Sequence, residues 1–269
     1  MGLLRFGLLE EGRRVNESSS TTVTEGELRP WAPDAARKEA RDVQRMFAAV
    51  SPRYDFLNRL LSFGQDLRWR RRAVALAKLE GDERVLDVAT GTADLALSFA
   101  TRTPRGRVTG VDFCTPMLRL AQRKIARAKP RDRIALAAGD ALRLPFRDES
   151  FDVVTAGFGV RNFQDLAAGL REMARVLRPQ GRVILLEFTT PETRFSRTLT
   201  SLYLRIVPAI GRRLSGSGTD AYRYLAESIR RFPSRAAFQG LLESCGFEQA
   251  RSVPLAMGLV AVTVAQRSG

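Results

Sequence analysis

The stretch Val85–Ala96, VLDVATGTADLA, decides the fold. An apolar run ends on the acid Asp87, small residues crowd one turn at Ala89, Gly91 and Ala93, and helix formers begin at Asp94. A strand running through a bare turn into a helix is the repeating unit of a doubly wound parallel sheet. In such sheets ligands sit beyond the carboxyl ends of the strands, where the winding reverses. Small residues let a ligand approach the main chain, and the helix amino terminus offers free N–H groups and positive dipole. A merely tight strand–helix turn reads the same way locally, so the surrounding sequence has to decide.

Outward from this stretch, short apolar runs alternate with helical patterns. The strand candidates are 84–88, 107–112, 133–139, 151–156, 182–188, 247–254 and 259–266. The helix candidates between them are 92–102, 115–128, 165–177, about 193–213, 220–230 and 234–244. This alternation predicts an α/β domain: a seven-stranded, mostly parallel sheet with helices on both faces. Only a Pro254–Gly258 link separates the last two strands, which predicts an antiparallel final strand. Upstream, Val43, Met46, Phe47 and Val50 recur at helical spacing, followed by a short amphipathic helix ending at Gly64 and a basic helix over 66–79. Residues 1–33 are polar, lack periodicity and contain Pro30 and Pro33, which predicts a loosely attached tail. The domain is expected to span 34–269, with extra helices over 34–80 and an insertion over 193–230.

Composition narrows the chemistry. Histidine is absent, which excludes a Ser-His-Asp triad, a histidine base and a histidine-ligated metal. Two cysteines, Cys114 and Cys245, are too few for a disulfide framework, and no metal is expected. No run of 18 apolar residues offers a membrane span. Met1–Leu9 is short and lacks a small-residue cleavage site, so a cytoplasmic protein is expected. The net charge of +15 suits phosphate-bearing partners, nucleic acid or anionic lipid, or else only a soluble arginine-rich surface.

Two further strand ends sharpen the site. Asp112 ends the second strand about twenty residues past the loop, placed to accept hydrogen bonds from a ribose. Asp140 and Ala141 follow the third strand, an acid and an apolar residue that suit an adenine amino group and ring face. A dinucleotide fingerprint needs G-x-G-x-x-G. Here Gly91 stands alone and Asp94 occupies the place of the last glycine. Acids at 87 and 94 oppose a pyrophosphate and favour a cationic ligand such as the sulfonium of S-adenosylmethionine.

VLDVATGTADL, VTGVDFCTPML, GDALRLPFRDESFDVVTAGFGVRN and EMARVLRPQGRVILLEF resemble the class I S-adenosylmethionine-dependent methyltransferases, which have a Rossmann-like fold. MFAAVSPRYDFLNRLLSFGQDLRWRR and AYRYLAESIRRFPSRAAFQGLLESCGF are similar to the UbiE/MenG C-methyltransferases of ubiquinone and menaquinone biosynthesis. The resemblance spans roughly residues 40–265. It implies cofactor contacts at Thr92, Asp112, Asp140 with Ala141, and Gly157, and Asp87, Gly91 and Met117 complete the expected cofactor shell. Three positions depart from the family pattern: Ala93 where glycine is usual, Asp66 where many members carry histidine, and Gly157 where serine is frequent.

The reaction implied is methyl transfer to a ring carbon of a polyprenylated hydroquinone, demethylmenaquinol or the related ubiquinone precursor. It needs alignment, a proton acceptor and a dry pocket. Arg161, after the fourth strand, is a candidate to stabilise a developing phenolate, with a structural ion pair as the equal alternative. Tyr54 and Asp55 are candidates to close over the ring, or else packing and capping residues. Asp66 is a candidate acceptor or base and also a natural N-cap. Glu187 ends the fifth strand as a further acid, whereas Phe158 and Phe163 are read as core. The segment 195–214 mixes an apolar face with arginines, as a lid helix or as an interfacial element at the inner face of the membrane. AGFGVRN replaces the N/D-P-P-aromatic tetrad of enzymes that methylate base nitrogens, so no nucleic-acid partner is expected. RNA or another small molecule remains the rival substrate, and a homo-oligomer stays open.

Overall fold

The computed structural model describes residue 45 and residues 54–189 and 219–269. The tail over 1–33 and the lid segment over 195–214 lie outside the described residues. Helices α1 (Tyr54–Leu61) and α2 (Asp66–Leu76) precede the sheet. Then follow β1 (Arg84–Val88), α3 (Asp94–Ala100), β2 (Arg107–Asp112), α4 (Thr115–Ala126), β3 (Ile134–Ala138) and β4 (Phe151–Gly157). The chain continues through α5 (Leu166–Val176), β5 (Leu177–Phe188), α6 (Thr219–Arg231), α7 (Arg235–Ser244), β6 (Phe247–Leu255) and β7 (Val260–Arg267).

The seven strands form one sheet in the order β3-β2-β1-β4-β5-β7-β6. Strands β1 to β5 pair in parallel, and β7 runs antiparallel to both β5 and β6. The predicted architecture, including the antiparallel last strand, is the one observed. Buried side chains alternate between two faces. Val85, Val153, Ile184 and Leu186 join the core under α2, α3 and α6. Leu86, Val154, Val183 and Leu185 join the core under α5 and α7. This period-two alternation of wholly apolar strands is what a sheet covered on both sides requires.

Three boundaries differ from the sequence reading for physical reasons. The helix expected over 92–102 starts at Asp94, because Ala89, Gly91 and Ala93 all hold positive φ (54°, 57° and 67°) and no helix can begin among them. Strand β5 starts at Leu177 instead of 182: Leu177 already pairs with Phe151, and a bulge over Arg178–Gly181 separates it from Arg182 opposite Val153. Strand β6 runs one residue past the expected 254, to Leu255, with Pro254 inside it, tolerated because β6 is an edge strand.

The reversal of winding falls between β1 and β4. There the loops after the two strands touch: a Cβ on Gly159 would meet the Ala89 methyl at 2.6 Å. Glycine at 159 is thus what allows the two strand-end turns to close together beneath a shared cleft.

Candidate functional site

A cleft open to solvent occupies this switch point. Its floor is the β1 end, with Val88, Ala89 and Gly91. One side comes from the β2 and β3 ends, with Asp112, Met117, Asp140 and Ala141. The other comes from the β4 end, with Gly157, Phe158, Asn162 and Phe163.

Asp112 organises the floor. Its Oδ2 accepts the Gly91 N–H at 2.8 Å and its Oδ1 accepts the Cys114 N–H at 2.8 Å. These bonds lock the left-handed loop against β2 and leave further lone pairs on a carboxylate that borders the cleft. Burial pushes the Asp112 carboxyl above its ordinary range, and the backbone donors pull it back. Asp140 turns its own loop by accepting the Leu142 N–H at 2.9 Å. Beneath the loop, Asp87 is 1% exposed. Its Oδ2 accepts the Thr90 hydroxyl at 2.6 Å and the Ala96 N–H at 3.1 Å, while its Oδ1 is buried with no partner among the described residues. Desolvation raises this carboxyl to about 7.

A charged network fastens α1 and α2 to the loop. Lys124 on α4 donates to Asp94 at 2.7 Å and to the Thr92 hydroxyl at 3.0 Å, and pairs with Asp55 of α1. The Thr92 hydroxyl in turn donates to Asp55 at 2.6 Å. Arg70 joins Asp94 at 3.4 Å to Asp66. One ammonium thus holds two carboxylates and a hydroxyl from three elements. Lys124→Met is expected to lower stability in urea by about 1–2 kcal/mol, more than an isolated exposed pair contributes, and 1 M salt should erase much of the difference. Equal unfolding midpoints for the two proteins at low salt would refute this.

On the opposite side Arg161 and Glu187 form a buried pair at 2.7 Å, their side chains 6% and 2% exposed. Glu187 also accepts the Phe188 N–H at 2.9 Å and the Arg161 N–H at 3.3 Å. Burial pushes the Glu187 carboxyl up and the Arg161 guanidinium draws it down. Arg161 further donates to the Phe158 carbonyl and lies 5.4 Å from the centroid of the Phe188 ring. Next to it, the Asn162 carbonyl oxygen accepts the Tyr224 hydroxyl of α6 at 3.1 Å. Phe158 packs between Trp69 and Phe188, as a core residue would, while also walling the cleft.

Of the residues singled out from sequence, Gly91, Asp112, Met117, Asp140, Ala141 and Gly157 meet in the cleft wall. Asp87 and Thr92 lie behind the loop and bond to protein groups. Arg161 is engaged as an ion pair, one of the two roles anticipated for it. Asp66 is no N-cap: Gln65 holds that place with no side-chain cap. The Asp66 carboxylate is instead drawn back onto Ser62, whose hydroxyl donates at 3.0 Å, and onto Arg70 one turn ahead. Its side chain is 4% exposed, so it presents no free base to a substrate. Tyr54 opens α1, with its side chain outside the described residues. Sequence reasoning missed Lys124 and Tyr224.

Sheet order, antiparallel β7 and the single-glycine loop at the switch point are those of the fold shared with S-adenosylmethionine-dependent methyltransferases. A methyltransferase of Aquifex aeolicus shares the fold with a TM-score of 0.57 at 17% identity, covering 79% of this chain and 96% of that one. The [4+2]-cyclase SpnF matches equally well, with a TM-score of 0.57 at 17% identity over 84% and 95% of the chains, so the fold by itself does not fix the reaction. The sequence is more specific. The ubiE/COQ5 methyltransferase family profile matches residues 35–267, and the chain belongs to that family. Demethylmenaquinone methyltransferase of Thermus thermophilus is 46% identical over 82% of this chain and 100% of its own length. The ubiquinone/menaquinone biosynthesis C-methyltransferase UbiE of Geobacter sulfurreducens is 43% identical over 84% and 88%.

Proposed function

We propose that this methyltransferase transfers a methyl group to a ring carbon of a polyprenylated hydroquinone, demethylmenaquinol or the 2-polyprenyl-6-methoxy-1,4-benzoquinol precursor of ubiquinone. The observation that carries the reading is the β4 side of the cleft. Aromatic walls from Phe158 and Phe163 flank the side-chain amide of Asn162, steadied by Tyr224, with the Gln164 amide beside them. Aromatic walls with neutral amides fit a flat ring with hydroxyl edges better than a stretch of anionic polynucleotide. The names of the curated relatives point the same way.

The residues of the other side fit S-adenosylmethionine. Asp112 would take the ribose, Asp140 and Ala141 the adenine edge, and Gly91, Met117 and Gly157 the surrounding contacts. Asp87 would favour the cation through its field without touching it. The bound cofactor supplies an electrophilic sulfonium methyl. The chain supplies alignment, a dry aromatic wall and charge control. Arg161, held by Glu187 behind the β4 wall, would act through its field on negative charge developing on the substrate oxygen, without touching it. Membrane contact belongs to this reading, because an isoprenoid tail partitions into lipid. No described helix is long and apolar enough to cross a membrane.

The test is to incubate the purified protein with methyl-labelled S-adenosylmethionine and, separately, reduced demethylmenaquinone, the benzoquinol precursor or bulk RNA. Label in the quinol ring is expected, and label in RNA alone overturns the proposal. Asp112→Ala is expected to weaken cofactor binding about 10- to 100-fold by calorimetry. It removes a charge-assisted acceptor worth roughly 1.5–3 kcal/mol and orphans two N–H groups. Unchanged affinity would move the ribose elsewhere.

A further inference from the structure

The hairpin of α1 and α2 turns four large apolar side chains outward. Phe56 is 63% exposed, Leu60 39%, Phe63 82% and Leu67 41%. Phe56 and Leu60 share one face of α1 at i, i+4 spacing, Phe63 sits in the connecting turn, and Leu67 opens α2. Loose packing does not account for this. The inner face of the same hairpin is well seated, with Trp69, Ala73 and Val74 buried and the Asp55, Asp66, Arg70 and Lys124 network fixing its orientation. Phe63 is the sharpest case: its φ of 51° is left-handed, a conformation costly for an aromatic residue, while its ring faces solvent. Elsewhere among the described residues, large apolar side chains are exposed only singly, at Met257 and at Phe113 in the cleft wall.

Charge says what the face suits. Residues 54–76 carry five arginines against two aspartates, and both aspartates are drawn inward onto Arg70 and Lys124. Arg59, Arg68, Arg71 and Arg72 are exposed around the apolar patch. Exposed rings and leucines bordered by arginines match the boundary of an anionic bilayer, where acyl chains take the former and phosphates the latter.

We infer that the α1–α2 hairpin, through Phe56, Leu60, Phe63 and Leu67 with the flanking arginines, docks the enzyme on an anionic membrane surface. The same helix that carries Phe56 carries Asp55, bonded to Thr92 beside the cleft residue Gly91. Docking therefore sets the loop that floors the cleft close to the lipid. This deepens the proposed function and rests on it only in the assumption that the substrate carries an isoprenoid tail.

The test uses the full chain and phosphatidylcholine vesicles with and without 30% phosphatidylglycerol. Cosedimentation at low salt is expected with the anionic vesicles only. The double variant Phe56→Ser/Phe63→Ser, altering two side chains that are mostly exposed, should bind at least tenfold more weakly. It should keep turnover on a tailless, water-soluble quinol and lose at least tenfold on tailed quinol embedded in vesicles. A Phe63→Trp variant should be quenched by brominated lipid. Wild-type protein that ignores anionic vesicles, or a double variant that binds them equally well, overturns the inference. So does a double variant whose only change is a halved mass in sedimentation equilibrium, since the patch would then face a second copy. Vesicle binding without methylation of any quinol would leave the docking intact and overturn the proposed substrate.

Discussion

Glu187→Leu is expected to lower stability by about 3–5 kcal/mol, whereas Arg161→Met should cost distinctly less. Both changes break the same buried pair, so the asymmetry is the test. Removing Glu187 leaves a guanidinium that cannot shed its charge, inside a protein wall with a carbonyl and an aromatic face for company. Removing Arg161 leaves a carboxyl that burial already pushes upward, and it can take up a proton and become neutral. The Arg161→Met protein should consequently gain stability relative to wild type as pH falls, and the Glu187→Leu protein should not. The double variant should recover most of the lost stability, because two well-packed apolar groups replace an ion pair with little net change. Activity separates the structural from the functional share. Arg161→Met should depress turnover more than cofactor affinity, and the double variant should stay inactive although it is folded. Urea unfolding at pH 5.5 and 8 together with single-turnover methylation reads all of this. Equal losses from the two single variants at both pH values would mean the pair is hydrated and not a buried charge couple.

The legible part of this protein is the part written in neighbouring residues. β1 and β2 coincide with RVLDV and RVTGVD because apolar β-branched runs with sharp polar edges leave no other pairing register. The cleft residues Asp112 and Asp140 are legible for the same reason: Asp112 ends β2, Asp140 stands two residues past β3, and the topology brings strand ends together. What the sequence does not disclose depends on elements far apart in the chain. Lys124 looks like any lysine on the polar face of α4 until folding sets it beside Asp94 and Asp55. Tyr224 has no visible partner until α6 crosses the turn at Asn162. Asp66 reads as a cap because an acid at a helix start usually serves the backbone. Here Arg70, one turn ahead, offers a full charge instead, and the charge wins over a backbone N–H.

Asp87→Asn is expected to leave stability nearly unchanged only below about pH 4, to exceed wild type already at pH 5, and to raise it at pH 8 by an amount on the order of 4 kcal/mol at most. Asp87 is held near 7 by desolvation, against 3.8 for an ordinary aspartate. Between those values the folded protein binds a proton that the unfolded chain does not, so stability falls as pH rises through the window and levels off above 7. A tenfold difference in proton affinity corresponds to about 1.4 kcal/mol, which sets the upper bound. Asparagine mimics the protonated acid: its oxygen can keep the Thr90 and Ala96 donors, and its amide nitrogen takes the place of the unpartnered Oδ1. The variant should therefore lack the slope. A protein has reason to keep so unfavourable a carboxylate only if something else gains from it, and the loop above Asp87 is where a sulfonium cation is proposed to bind. Cofactor binding at pH 7 should then release a proton from the wild type, measured by calorimetry in buffers of different ionisation enthalpy. Asp87→Asn should release less and bind more weakly. Parallel pH–stability curves for the two proteins would show that Asp87 ionises normally, and the electrostatic preference for a cation at this loop would lose its source.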